Sequence, residues 1–257
     1  MALLEVSGLC VSFGGMQAVQ DLDFGVERGG VHSIIGPNGA GKTSVFNLIT
    51  GLYRPSAGRV VFEGRDVTGR RPYELAWLGM SRTFQNLQIC FNMSAVENVM
   101  VGSHLRLEQS LLRAFLRPPS QVRVDRTCRD DALRLIDFVG LRRFAGVDAD
   151  AMPYGALKRL EIARALAARP KLLLLDEPAA GLNPTETREI DGLIQNIAST
   201  GVTVVLVEHD MKLVMGLSDH IVVLDHGRKL AEGTAAEVRA DPAVIAAYLG
   251  AAAVSAS

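Results

Sequence analysis

Gly36-Pro37-Asn38-Gly39-Ala40-Gly41-Lys42-Thr43 is the stretch that decides how this sequence is read. It follows a short β-branched apolar run, residues 31–35. It precedes residues 44–49, whose apolar side chains recur at helical spacing up to Gly51. A strand, a glycine turn and a helix form the setting in which G-x-x-x-x-G-K-[ST] holds phosphate. The glycines let backbone N–H groups turn inward around phosphate oxygens, and the helix N-terminus adds its positive end. Lys42 is expected to reach the β- and γ-phosphates of a nucleotide and the Thr43 hydroxyl to ligate Mg²⁺, with Ser44 beside them in the binding set.

Nucleotide hydrolysis also needs carboxylates close to the metal and the attacking water. Leu172-Leu173-Leu174-Leu175-Asp176-Glu177-Pro178 supplies them, as four apolar residues and then two acids at a strand's end. In parallel α/β sheets ligands collect at that edge. Asp176 suits magnesium coordination and Glu177 suits activation of a water. Two acids ending a strand are common, and it is their pairing with the glycine loop that gives them this reading.

Outward from these motifs, residues 3–11 and 22–26 have strand character, and 59–62 read as another short strand. Strands are expected again at 171–175, 202–207 and 220–224, with helices at 186–198 and 210–217 between them. Strands without in–out alternation predict a parallel sheet covered on both faces. The middle differs in character. Helical periodicity at 95–105 and 126–139, broken by Pro118 and Pro119, predicts an inserted helical subdomain. Residues 251–257 are small and polar and are expected to fray.

At 257 residues, 48% hydrophobic and 21% charged, the chain fits a single α/β domain with such an insertion. A net charge of −1 gives no electrostatic case for binding nucleic acid. Cys10, Cys90 and Cys128 are scattered without a CxxC pair, which argues against a zinc site or disulfide framework and suits small buried hydrophobes. No apolar run reaches the roughly 18 residues a membrane helix needs. The Met-Ala-Leu-Leu-Glu start carries no basic segment of the kind that opens a signal peptide. The expected default location is therefore cytosolic, and any membrane association would have to come through partners.

Taken together, these motifs resemble the nucleotide-binding subunits of ABC transporters over almost the whole chain. The resemblance implies a P-loop NTPase (RecA-like) α/β core with an antiparallel β subdomain and an inserted α-helical subdomain. Residues 1–90 and 156–240 would form the core, 91–155 the helical subdomain and 241–257 a C-terminal extension. ATP and Mg²⁺ are the implied cofactors. Phe13 in Val-Ser-Phe-Gly-Gly matches an aromatic that stacks on adenine. Gln85 in Arg-Thr-Phe-Gln-Asn matches a glutamine that contacts Mg²⁺ and the attacking water. Gly181-Leu182-Asn183-Pro184 looks like the loop that crosses the dimer interface, and His209 in Val-Glu-His-Asp matches the histidine that contacts the γ-phosphate.

A narrower likeness, to the branched-chain amino acid import ATPases, rests on longer segments. They are Phe-Gly-Gly near the start, Arg-Thr-Phe-Gln-Asn, Ala-Ala-Gly-Leu-Asn-Pro, Glu-His-Asp-Met-Lys-Leu-Val-Met and the ending Pro-Ala-Val-Ile-Ala-Ala-Tyr-Leu-Gly. Import of urea or amides, export of lipid or lipopolysaccharide, and a weakly hydrolysing regulatory subunit are the rival readings. A non-transport ABC protein of translation or DNA repair fits worse, because such chains usually carry two ATPase halves or a coiled-coil insertion.

The sequence departs from the family at one loop. Where Leu-Ser-Gly-Gly-Gln or Leu-Ser-Tyr-Gly-Gln is typical, it reads Met152-Pro153-Tyr154-Gly155-Ala156. In the family this loop completes the ATP site of the opposite subunit. Pro153 has neither a hydroxyl nor an N–H donor, while Gly155 keeps its N–H at a helix N-terminus. The resemblance therefore implies an asymmetric heterodimer with a second ABC ATPase, although a homodimer stays open. Transmembrane permease subunits, and through them a substrate-binding protein, are the other implied partners. Phe84, Leu87, Ile89 and Phe91 are apolar in a loop context and suit either docking of a permease helix or internal packing.

Overall fold

The computed structural model describes residues 2–104 and 119–254. Its two long N-terminal strands, β1 (Ala2–Phe13) and β2 (Met16–Glu27), pair antiparallel. β1 pairs on its other side with β4 (Ala57–Phe62), and β4 pairs with the two-residue β5 (Arg65–Asp66), giving the order β2-β1-β4-β5.

A second sheet has six strands in the order β10-β9-β3-β8-β7-β6. Of these, β3 (Val31–Ile35), β6 (Met80–Arg82), β7 (Leu172–Asp176), β8 (Thr203–Val207) and β9 (His220–Asp225) run parallel. The expected all-parallel sheet is corrected at one edge. Strand β10 (Arg228–Gly233) folds back antiparallel on β9 through a tight turn at His226 and Gly227, both with positive φ (46° and 78°).

The leucine run explains why no alternation was legible. Leu172 and Leu174 face the core shared with α1 (Lys42–Ile49) and the antiparallel sheet, while Leu173 and Leu175 face the helices, and all four are 0% exposed. Both faces of the strand are interior, so both sets of side chains are apolar. Truncating any one to Ala removes about 2–5 kcal/mol.

The helical side holds α3 (Ala95–Gly102), α4 (Pro119–Phe138) and α5 (Tyr154–Ala167), which pack on one another, and α6 (Pro184–Ser199) and α7 (Met211–Leu217) beside the sheet. The helix expected at 95–105 ends at Gly102. That expected at 126–139 starts earlier, at Pro119, where a proline fits a first helical turn; Pro118 lies outside the described residues. Asn183 caps α6 by accepting from Thr185 and Glu186 N–H, with Pro184 next in line, so the helix start is written into Asn-Pro-Thr-Glu.

Several elements went unread in the sequence: α2 (Pro72–Leu78), β6, β10, α8 (Ala235–Ala240) and α9 (Pro242–Val254). The fraying expected from residue 251 is corrected, since α9 runs through Val254, and residues 255–257 are outside the described residues. Cys128 is buried as expected, whereas Cys10 and Cys90 are half-buried.

Candidate functional site

Register brings the functional loops to one edge of the six-stranded sheet. Asp176 pairs with Val207 and Ile34 also pairs with Val207, so the ends of β3, β7 and β8 are level. The loop at 36–43, Glu177 and His209 follow directly from those ends. Gly41 caps α1 with φ 98°, and a Cβ there would stand 2.6 Å from the Ala18 carbonyl oxygen. Gly36 is tighter still, its Cβ position lying 2.2 Å from the Leu224 carbonyl oxygen. Only glycine lets the loop pass between these carbonyls.

Lys42 is 7% exposed, and its ammonium donates to the Gly36 and Pro37 carbonyls at 2.7 and 3.1 Å. Burial pulls its pKa below the ordinary lysine value, against the opposing pull of Glu177 and Asp176. A cavity of about 630 Å³ opens over the loop. Asn38, Gly39, Ala40, Gly41, Lys42, Thr43 and Ser44 line it together with Gln85 and Glu177.

Glu177 is the meeting point. Its backbone sits at φ 47°, held by its N–H donating to Val207 and by its carbonyl accepting from Ala180 N–H and the buried Lys158 ammonium. Oε2 accepts from Gln85 Nε2 at 3.2 Å, and Oε1 stands 3.9 Å from His209 Nδ1. A left-handed non-glycine backbone at the end of a core strand is strain of the kind that collects at functional sites. Asp176, 3% exposed, lies behind this cluster with Arg82 on its Oδ2 at 2.7 Å.

Glu208 fixes the histidine loop. Fully buried, it accepts from Ala179 N–H with one oxygen and His209 N–H with the other, both at 3.1 Å. Burial pushes its carboxyl above the ordinary range.

Of the expected residues, Gly36, Pro37, Asp176 and His209 stand behind or beside the cavity's lining, and Pro153 and Gly155 lie apart from it. Pro153 is the N-cap of α5 without a side-chain cap bond. Gly155, the second residue of the helix, is buried so closely against Glu186 that a Cβ would fall 2.5 Å from its Oε1. Phe13 does not line the cavity either. It is half-exposed and meets Tyr53 edge-on, centroids 5.0 Å apart, while Met16 and Gln17 line the wall. Residues the sequence reading missed are Met16, Arg82, Lys158, Glu161, Glu208 and His226. Arg82 and Glu208 stood inside the motifs already read, one three residues before Gln85 and the other beside His209.

A separate apolar groove of about 400 Å³ runs between α2, the end of α3 and α5. Of the four apolar loop residues read in the sequence, Phe84 alone lines it. Leu87 and Ile89 pack inward on the helical core, and Phe91 is exposed elsewhere. Glu161, 4% exposed, also borders the groove and accepts Phe84 and Gln88 N–H, both at 3.3 Å, thereby bracketing Gln85.

The ABC transporter sequence profile matches residues 19–180, which span the glycine loop, Gln85 and the Asp176–Glu177 strand end. This chain is an ABC transporter ATP-binding cassette. A second profile, described as the branched-chain amino acid ATP-binding cassette transporter, matches residues 228–254. The cassette is 47% identical over 249 residues to the high-affinity branched-chain amino acid transport ATP-binding protein BraF of Pseudomonas aeruginosa, covering 96% of this chain and 98% of that one. LivG of Escherichia coli K12, of the same description, is 43% identical at the same coverage.

Among solved structures, a nucleotide-free ATP-binding cassette from an ABC transporter superposes with a TM-score of 0.84 at 31% identity, covering 96% of this chain and 99% of that chain. A cassette in an ADP conformation gives the same TM-score over 97% and 99%. The expected P-loop NTPase fold and ATPase identity are thereby established. Among the described residues no helix is long and apolar enough to cross a membrane.

Proposed function

We propose that this cassette hydrolyses ATP to drive import of branched-chain amino acids, docked on permease subunits at the cytoplasmic face of the membrane. Similarity over nearly the full length to BraF and LivG, reinforced by the match at 228–254, carries the substrate assignment. The convergence of Gln85 and His209 on one carboxylate carries the hydrolytic assignment.

Glu177 orients the attacking water and takes its proton. The water oxygen bonds to the γ-phosphorus as the bond to the bridging β–γ oxygen breaks, which leaves ADP and phosphate. Lys42 and the N–H groups of 36–43 offset charge on the phosphates, His209 steadies the γ-phosphate from the far side of Glu177, and Phe13 stacks on the adenine. The donor set fits magnesium. Thr43 and Gln85 line the cavity, and Asp176 is near enough to act on the Lys42 ammonium. Thr43, Gln85 and Asp176 would hold the ion, which would supply neutralisation of phosphate charge.

The cassette works as a heterodimer in which its Pro153–Gly155 loop faces the partner's ATP. An N-cap without a hydroxyl supports unequal sites. Residues 91–155 form the helical subdomain between core segments 1–90 and 156–240, and 241–257 the C-terminal extension. The groove beside Phe84 receives a permease helix that is apolar along one face.

The test is uptake of radiolabelled leucine, isoleucine and valine in cells carrying only the Glu177→Gln form at normal expression. Lost uptake supports the assignment. Normal uptake overturns the substrate and redirects it to urea, amides or exported lipid.

A further inference from the structure

We propose that Arg82 is a positioning residue for hydrolysis, its guanidinium clamping the Asp176 carboxylate to the helix that begins with Lys42 and Thr43. This role presupposes the magnesium assignment of Thr43 and Asp176 made above.

Arg82 ends the edge strand β6, next to β7. Its side chain is 7% exposed, and the fork of the guanidinium divides between two elements. One arm, NH2, donates to Asp176 Oδ2 at 2.7 Å. The other, NH1, donates to Asn47 Oδ1 on α1 at 2.6 Å and to Oγ1 of Thr50, the C-cap of α1, at 2.9 Å. The Thr50 hydroxyl gives its own proton to the Phe46 carbonyl at 2.6 Å, so its lone pairs are left for Arg82.

The rings of Phe46 and Phe84 lie 5.5 and 4.9 Å from the guanidinium carbon, where they exclude water and fix its plane. The next residue, Thr83, accepts the Asp176 backbone N–H at 3.3 Å and donates its own N–H to the Leu174 carbonyl. Asp176 is therefore fixed at its backbone by Thr83 and at its side chain by Arg82, with Oδ1 outside both bonds.

A metal ligated by Thr43 and Asp176 needs α1 and the end of β7 at one spacing, and Arg82 is the side chain that bonds to both. A planar fork can serve two elements at once, whereas a lysine ammonium offers one point charge. Groups that hydrogen-bond a ligating carboxylate typically alter metal affinity 10–100-fold when removed.

The experiment titrates Mg²⁺ against the purified full chain with a fluorescent ATP analogue. Metal-free analogue binding and melting temperature are measured alongside, for Arg82→Met, Arg82→Lys and Asp176→Asn. Arg82→Met is expected to raise the Mg²⁺ concentration for half-maximal response about tenfold, with metal-free binding changed less than about twofold. Arg82→Lys is expected to fall between it and the parent. If Arg82→Met does not fold, a shift of at least about threefold in Arg82→Lys upholds the role. If the folded Arg82 variants keep the parent's Mg²⁺ dependence while Asp176→Asn shifts it, the positioning role is overturned and the metal assignment stands. If Asp176→Asn also leaves it unchanged, the metal assignment falls and the role with it.

Discussion

Gln85 donates its side-chain N–H to Glu177 across 3.2 Å, so the loop leaving the edge strand and the acid just past the end of β7 are tied by one hydrogen bond. The opposite oxygen of the same carboxylate faces His209. Converting Glu177 to Gln keeps the shape and one oxygen able to accept from Gln85, but removes the proton acceptor. ATP turnover is expected to fall by about 100-fold or more, with nucleotide binding retained. Steady-state hydrolysis beside equilibrium binding of an ATP analogue checks this, and a rate within about threefold of the parent would remove Glu177 from the mechanism.

The glycine loop makes a sharper prediction about folding. Gly41 and Gly39 both have positive φ, 98° and 82°. A Cβ at Gly41 runs into the Ala18 carbonyl oxygen at 2.6 Å, while one at Gly39 meets nothing within 4 Å. Gly39→Ala should lose only the backbone strain, about 1–2 kcal/mol. Gly41→Ala adds the clash and should lose more, by chemical denaturation of the two variants side by side.

Glu161 yields a pH dependence. Burial raises its carboxyl pKa above the ordinary value of 4.5, opposed by the Phe84 and Gln88 N–H groups and by Lys158 and Arg164. An acid with a raised folded pKa contributes stability that is fully present below the ordinary value and is lost as pH rises through the raised one. Glu161→Gln keeps the oxygen that accepts both N–H groups without the buried charge. It should therefore gain melting temperature over the parent at pH 8, with the gain shrinking toward pH 4. A gain that is constant across that range would mean the carboxylate is not desolvated.

Much of this was legible because the decisive signals are local. The Gly36–Thr43 spacing, the leucine run before Asp176 and the asparagine cap of α6 each need only a few adjacent residues. The unread parts depend on contacts distant in sequence. Arg82 reaches Asp176 across 94 positions, and nothing near Arg82 in the chain marks it as buried. Strand β6 has three residues and takes its identity from pairing with β7, too short for periodicity to register. For Leu87 and Ile89 the choice between docking and internal packing fell to packing, because it is decided by a helical core assembled from several separate segments of the chain.

Pro153 carries the last prediction. As N-cap of α5, at φ −61° and ψ 151°, it has a backbone that serine adopts equally well. Pro153→Ser adds a hydroxyl able to accept from the first amides of the helix, worth about 0.5–2 kcal/mol. It also frees the unfolded chain, which removes about 0.4–1 kcal/mol, so stability should change little. Function should change more. In the proposed heterodimer the new hydroxyl meets the γ-phosphate held by the partner, a charge-assisted bond of about 1.5–3 kcal/mol, or roughly tenfold or more in rate. Combining Pro153→Ser with Glu177→Gln silences this chain's own site, so hydrolysis by the assembled transporter then reports the partner's site alone. A rate that rises would establish that Pro153 holds that site back; a rate unchanged would mean that the proline loop does not limit it.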